Sequence, residues 1–369
     1  MTAARIPFVS LIPGDDATDV RAAIERVIAR GWFVLGPEVE AFESEFAAAA
    51  DSAYAVGVGT GTDAIALILR ALDIGEGDEV ITTPLSAAYT ALAVLMAGAR
   101  PVFADIDPIR LTIDPTAIEG AVGPRTKAIL PVHLYGQAAD MAPIESLAQR
   151  HHLAVVEDCC QAHLATAGGR PVGTIGIAGA FSFYPTKNLG ALGDGGAVVT
   201  NDRALAEKIK RLRNGGQSDR YHHQEPGVNS RLDELQAAVL RARLPRLGRW
   251  TNRRRSLAAA YRARLRNSDS MEVPPECDAG HVYHLFVVRT RARTELQARL
   301  ANHGVETLIH YPVSIPRQAA FAGARPAECP IAARVCDEVL SLPLHPGLNE
   351  EDIHDIADIV LKGRDECVR

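Results

Sequence analysis

Residues 54–72, YAVGVGTGTDAIALILRAL, decide the fold class. A short β-rich run leads into a glycine-rich turn, and apolar residues then recur at helical spacing, so the stretch predicts strand, tight turn and helix in succession. A helix that starts on such a turn leaves its first N–H groups without partners and aims its positive end at the turn, which favours a phosphate there. Thr60 and Thr62 add hydroxyl donors. Gly57 and Gly59 also fit a dinucleotide fingerprint, but its third glycine falls at Thr62, so the Rossmann pattern is incomplete. Alone, the loop divides evenly between a phosphate site and an ordinary tight turn.

The same alternation continues outward. Strand-like runs at 53–58, 79–83, 101–105, 126–132 and 154–157 enclose helical patterns at 62–72, 90–97 and 141–149, which predicts an α/β fold with a mostly parallel sheet covered by helices. Two further strand-like runs, 181–184 and 196–200, surround a glycine-rich turn. A long helical pattern from about residue 231 to 265, kinked at Pro245, reads as the connection between domains. Beyond it, a strand-like run at 284–289 and helical patterns at 294–303, 331–340 and 350–361 suit a smaller α+β domain. The expected division is a large domain over 1–245, including an N-terminal arm, and a small C-terminal α+β domain over 246–369.

The 369 residues, 47% hydrophobic and 23% charged, suffice for about two domains. Net charge is −6 with both signs interspersed, which offers no basic field for nonspecific nucleic-acid binding. The first residues, MTAARIPFVS, lack a secretory pattern, and no apolar run reaches membrane-spanning length, so a cytoplasmic protein is expected. The six cysteines, Cys159, Cys160, Cys277, Cys329, Cys336 and Cys367, show no metal-ligand spacing and are expected to be reduced; no metal ligand set stands out.

Two segments carry chemistry. LAVVEDCCQAH, 153–163, ends a buried strand in Glu157 and Asp158, at the sheet edge where open α/β folds bind ligands. A carboxylate there can keep a pyridine nitrogen protonated and make the ring an electron sink; the plainer reading is a helix N-cap. AFSFYPTKNLGALGDGGAVVTND, 180–202, sets Lys187 between an aromatic strand and a glycine-rich loop. A desolvated lysine can lose its proton and attack an aldehyde, whereas most lysines are solvated surface charges. The order of phosphate loop, acidic strand end and lysine gives the segments their joint meaning.

Together they resemble the DegT/DnrJ/StrS-type nucleotide-sugar aminotransferases of the aspartate-aminotransferase fold, the PLP-dependent fold type I. The resemblance covers nearly the whole chain through GWFVLGPEVEAFE (31–43), GTGTDA (59–64), VHLYGQ (132–137), EDCCQAH (157–163), the lysine segment, NSRLDELQAAVL (229–240) and LIHYPV (308–313). It implies a seven-stranded, mostly parallel sheet in the large domain and pyridoxal 5'-phosphate (PLP, or its amine form PMP) as cofactor. Lys187 would hold the cofactor covalently and later shuttle protons, Asp158 would pair with the pyridine nitrogen, and Gln161 would lie near the phenolic oxygen. Gly61, Thr62 and Ser182 resemble the phosphate cup. Asn229 resembles an asparagine that reaches the neighbouring subunit's phosphate, which implies a homodimer with shared sites.

One departure stands out. The aromatic residue that commonly stacks on the cofactor is replaced by Ala87 in TTPLSAAYTAL (82–92), leaving Tyr89 as the nearest ring. His133, Tyr184, His310 and Tyr311 are candidate substrate contacts, with the histidines balanced between that role and satisfied structural groups. His222 and His223 read as part of an interface loop, and Arg253 to Arg255 as a solvated helix face, with contact to a nucleotide diphosphate as the lesser alternative. The implied reaction passes an amino group from an amino acid, glutamate by resemblance, to a nucleotide-linked keto sugar. VHLYGQ and LIHYPV lean toward carbon 3 of a dTDP-linked 3-keto-6-deoxyhexose or a UDP-linked 3-keto sugar. The alternatives are a related sugar dehydratase, whose relatives carry histidine where this chain has Lys187, and a non-catalytic PLP-binding regulatory protein.

Overall fold

The computed structural model describes residues 6–266, 268, 271–326 and 328–362, so Met1 to Arg5 and Cys367 lie outside it. The central sheet contains β1 (Tyr54–Val58), β2 (Glu79–Thr82), β3 (Arg100–Phe103), β4 (Thr126–Leu130), β5 (Ala154–Asp158), β6 (Ala178–Ser182) and β7 (Gly196–Thr200). Their order is β1-β7-β6-β5-β4-β2-β3. β7 runs antiparallel to both of its neighbours, β1 and β6, while the pairs from β6 through β5, β4 and β2 to β3 are parallel. The seven-stranded, mostly parallel sheet expected from the sequence is therefore present.

Alternation along the strands explains why both faces are covered. Val80, Ala128, Leu130 and Val156 join one apolar cluster with the helix Gly61–Ala71, whereas Ile81, Ile129 and Val155 join another with the helix Met141–His151. Period-2 side chains that are apolar on both sides need helices on both sides. A further cluster gathers Leu257, Tyr261, Phe286, Leu340 and Ile356 with Ile6, which bridges to Val305. Residues near the beginning of the chain thus pack against its later part.

Two sequence expectations shift. The connecting pattern divides into the helix Glu234–Arg243, a 3-10 turn Leu244–Arg246 and the helix Leu247–Leu265, because Pro245 has no N–H to continue the ladder. The helical pattern expected over 331–340 ends at Glu338; Val339–Leu342 is a strand paired antiparallel with Phe286–Arg289. Its apolar residues are all buried, and at four residues periodicity does not separate a buried strand from helix.

Two carboxylates tie distant motifs into one frame. Glu234 is fully buried, and its oxygens accept from the backbone N–H groups of Gly36, Glu38 and Val39 at 2.9, 2.9 and 2.8 Å. It thereby closes the start of the helix Pro37–Ala49, where Gly36 supplies no capping side chain. Glu43 of that helix accepts from the N–H of Gly57 at 2.8 Å and pairs with Arg213, whose guanidinium also donates to the Gly57 carbonyl. Glu234→Ala leaves three N–H donors without that acceptor and should lower unfolding stability by about 3 kcal/mol, read as a shifted urea midpoint with an unchanged slope.

Candidate active site

The carboxyl end of β5 sends two acids in opposite directions, as alternation requires. Asp158, 4% exposed, accepts from the Thr90 hydroxyl at 2.8 Å and from the Cys160 N–H at 3.1 Å. Thr90 in turn lies 3.0 Å from the Ser86 hydroxyl. Glu157 points into the protein, where it accepts from the N–H groups of Gly173, Ile175 and Gly176, each at 2.8 Å.

His133 joins the second acid. Its Nδ1 accepts from the Ala139 N–H at 3.0 Å, so the proton sits on Nε2, which donates to Glu157 at 3.0 Å. The ring is fully buried and both nitrogens are engaged, which favours the second of its two readings, a satisfied structural group that braces the sheet beneath the cleft. Glu157, His133 and Cys159 lie close enough to suggest a metal set, but the hydrogen bonds already use both ring nitrogens and the carboxylate.

Lys187 follows β6, with its backbone N–H donating to the Tyr184 carbonyl at 2.8 Å. Among the described residues its amine has no hydrogen bond or ion pair. Desolvation lowers its pKa, while the nearby Cys160 and Asp158 act the other way. Three imidazoles stand around it. His163 Nε2 donates to the Ser182 carbonyl at 2.8 Å, His284 Nδ1 lies 3.2 Å from Asn188 Oδ1, and His310 Nδ1 lies 2.8 Å from Ser341 Oγ. Burial first and the Lys187 charge second push His163 down to about 3 and His310 to about 4, and lower His284 as well. None of these three imidazoles therefore competes with the lysine as a cation near neutral pH.

The phosphate-loop residues arrive at the same place. The helix Gly61–Ala71 starts after Thr60, whose hydroxyl accepts from the Asp63 N–H at 3.0 Å. The N–H groups of Gly61 and Thr62 have no acceptor among the described residues. A Cβ on Gly61 would lie 2.6 Å from Cys160 Sγ and 2.7 Å from Ser182 Cβ, so only glycine lets the helix start, the acidic turn and the end of β6 meet. Nearby, the Ser230 hydroxyl accepts from Gly59 N–H at 2.9 Å and donates to Asp63 at 2.8 Å.

Gln161 couples further segments to this turn. Its Oε1 accepts from Tyr135 N–H at 2.8 Å and its Nε2 donates to the Tyr311 hydroxyl at 2.9 Å, while the Tyr135 hydroxyl donates to the His310 carbonyl. Asp158, Gln161, Ser182, Lys187, His310 and Tyr311 thus border one region with Gly61 and Thr62. Tyr184 and Asn229 are exposed at its margins. Tyr89 is 65% exposed at the first residue of the helix Tyr89–Met96 and makes no ring contact among the described residues, and Ala87 is partly buried. His222 and His223 sit in an exposed hairpin.

The solvated reading of Arg253 to Arg255 is corrected. Arg253 donates to the Leu348 carbonyl, Arg255 to that of His281, and Arg254 is 5% exposed with its Nη1 on the carbonyls of Tyr283, His284 and Leu344. Cys159, Cys160, Cys277, Cys329 and Cys336 are free thiols, as expected. The sequence reading missed Ser86, Thr90, Cys160, Asn188, His163 and His284. A signal existed for Thr90, a hydroxyl four residues after Ser86 in an otherwise apolar helix.

These residues fit a phosphorylated pyridine aldehyde. A helix start without room for a Cβ offers free N–H groups, a buried carboxylate is held by fixed donors, and a deprotonatable amine lies beside it. The histidines give a pH test. His163 sits at about 3 in the folded chain against 6.5 when exposed, so between those values the unfolded chain takes up a proton that the folded one refuses. Stability should fall as pH drops through that window, and His163→Asn should reduce the slope in denaturation midpoints measured from pH 7 to 4.

Comparison with known proteins agrees with this geometry. A dTDP-3-amino-3,4,6-trideoxy-alpha-D-glucose transaminase from Streptomyces venezuelae is 46% identical over 96% of this chain and 95% of its own. The erythromycin biosynthesis sensory transduction protein EryC1 of Saccharopolyspora erythraea is 48% identical over 94% and 96%. The crystal structure of S. venezuelae DesV in complex with a ketimine intermediate superposes with a TM-score of 0.94 at 46% identity, covering 100% of both chains. Aminotransferases of this type are PLP-dependent. With the family match running over residues 15–361, the chain belongs to the DegT/DnrJ/EryC1/StrS aminotransferase family.

Proposed function

We propose that the protein transfers an amino group, from glutamate, to carbon 3 of a nucleotide-linked keto sugar, either a dTDP-linked 3-keto-6-deoxyhexose or a UDP-linked 3-keto sugar, in amino-sugar biosynthesis. The observation that carries this reading is the desolvated, unbonded amine of Lys187 in the same cleft as the hydrogen-bonded carboxylate of Asp158. The carbon-3 preference is supported by the activity for which the Streptomyces relative is named.

Pyridoxal phosphate, when bound, supplies an aldehyde that exchanges amino groups and a ring that withdraws electrons from the reacting carbon. The N–H groups of Gly61 and Thr62 and the hydroxyl of Ser182 would hold its phosphate. Asp158, fixed by Thr90 and Cys160, would keep the ring nitrogen protonated, and Gln161 would serve the phenolic oxygen. Lys187 Nζ would take a proton from the donor's α-carbon and later deliver one to the sugar. Tyr184, His310 and Tyr311 would meet the sugar nucleotide. Tyr89, largely exposed, would cover the ring poorly, and Ala87 carries no ring to replace it.

The exposed Asn229 would complete the phosphate site of a second copy, so the working unit is a homodimer. The division at 245/246 is supported by the break at Pro245 and by the separate cluster around Tyr261. No described helix is long and apolar enough to cross a membrane, in keeping with a cytoplasmic location. The amine at position 187 speaks against the dehydratase. The presence of both the Lys187 amine and the Asp158 carboxylate in one cleft speaks against a purely regulatory role, which the name of the Saccharopolyspora relative would otherwise favour.

Lys187→Ala should abolish turnover, and Asp158→Ala should lower kcat by about two orders of magnitude or more with a smaller change in KM. Both are read from glutamate-dependent amination; full activity in the lysine variant would refute the assignment. Incubation with 3-keto and 4-keto sugar nucleotides, followed by NMR of the product, should give the 3-amino sugar. Amination at carbon 4 alone would overturn the regiochemistry.

A further inference from the structure

Two hydroxyls stand behind the acid of the cleft, aligned in one direction. Thr90, 2% exposed, donates its only hydroxyl proton to Asp158 Oδ2 at 2.8 Å. Its oxygen lies 3.0 Å from the Ser86 hydroxyl, and with the Thr90 proton committed, Ser86 must be the donor in that pair. The order is therefore Ser86 to Thr90 to Asp158. The other carboxylate oxygen, Oδ1, accepts from the Cys160 N–H at 3.1 Å.

Local structure gives these hydroxyls no other task. Ser86 shortly precedes the helix Tyr89–Met96, yet that helix has no side-chain cap, and no backbone N–H among the described residues donates to either oxygen. Thr90 is buried along that helix with Ala91, Ala93 and Val94, and Leu85 and Ala91 belong to an apolar cluster. A buried hydroxyl is unfavourable unless it is bonded, and alanine and valine would fill the same space without that cost.

The acid supplies the reason for them. Hydrogen bonds in a chain polarise one another, so the Ser86 donor strengthens the bond from Thr90 to Asp158. With both of its oxygens accepting, the carboxylate is fixed in orientation and keeps lone pairs for a further donor. A protonated pyridine nitrogen is such a donor, and an ionised acceptor beside it favours its charged form.

We propose that Ser86 and Thr90 are positioning residues, a one-way hydroxyl relay that orients Asp158 and thereby holds the proton on the ring nitrogen of bound pyridoxal phosphate. The relay touches neither the substrate nor the reacting carbon and acts only through Asp158. Without it, the shared proton moves from the ring nitrogen toward the carboxylate. The inference rests on the cofactor's place in the proposed function, and not on the choice of sugar or amino donor.

The test uses holoenzyme prepared with pyridoxal phosphate labelled with nitrogen-15 in the ring, whose NMR shift reads whether that nitrogen carries a proton. The unaltered protein should give the protonated signal. Thr90→Val keeps the side chain's shape and removes the donor, so the signal should move toward the unprotonated position, and kcat should fall about tenfold with KM nearly unchanged. Thr90→Ser restores a hydroxyl and should return the protonated signal. Ser86→Ala alters a residue with no hydrogen bond to Asp158, and should move the signal in the same direction as Thr90→Val but less far; it decides the matter even where Thr90→Val does not fold. An unmoved signal in Ser86→Ala, or an equal displacement in Thr90→Ser and Thr90→Val, overturns the proposal. The expected displacements in a protein that aminates no keto sugar would sink the proposed function and leave the relay standing, whereas unmoved signals in an active aminotransferase would do the reverse.

Discussion

A lysine captures an aldehyde only as the free amine, and the cleft is arranged around that requirement. Lys187 is half-shielded from water and its amine has no acceptor among the described residues, burial lowers the pKa of the three imidazoles near it, and Asp158 is engaged by Thr90 and Cys160. Desolvation favours the neutral amine while Asp158 and Cys160 favour the charged one. Such opposed influences leave a group able both to accept and to release a proton.

The frame that holds this balance is assembled from segments far apart in sequence. Gly61 brings the helix start to within contact of Cys160 and Ser182. Glu234 closes a helix that begins nearly two hundred residues earlier, and Gln161 links the acidic turn to Tyr135 and Tyr311. The Glu234 and Gln161 links each set backbone N–H groups against a buried side-chain oxygen, so the site depends on contacts that no single motif contains.

What the sequence disclosed follows from what local pattern can encode. The strand, turn and helix of 54–72 were readable because period-2 and helical spacing meet at glycines, and Asp158 and Lys187 were readable because they end or follow buried strands. His133 could not be decided from the sequence: its position at a strand end is local, but the Glu157 and Ala139 contacts that turn it inward depend on packing. Arg254 was misjudged for the same reason, since the carbonyls that gather around its guanidinium come from residues 283, 284 and 344. The strand Val339–Leu342 was hidden because four apolar residues carry too little periodicity. The role of Ser86 and Thr90 depends on Asp158, 68 residues after Thr90, an acceptor that their local spacing does not reveal.

The central claim is that the amine of Lys187 is the group that takes the cofactor's aldehyde. Borohydride reduction of the protein with bound pyridoxal phosphate, followed by proteolysis and peptide mass spectrometry, reads this directly. The account predicts a single phosphopyridoxyl label on Lys187, in the peptide spanning 180–202. A label confined to another lysine, or none despite saturating cofactor, would contradict it.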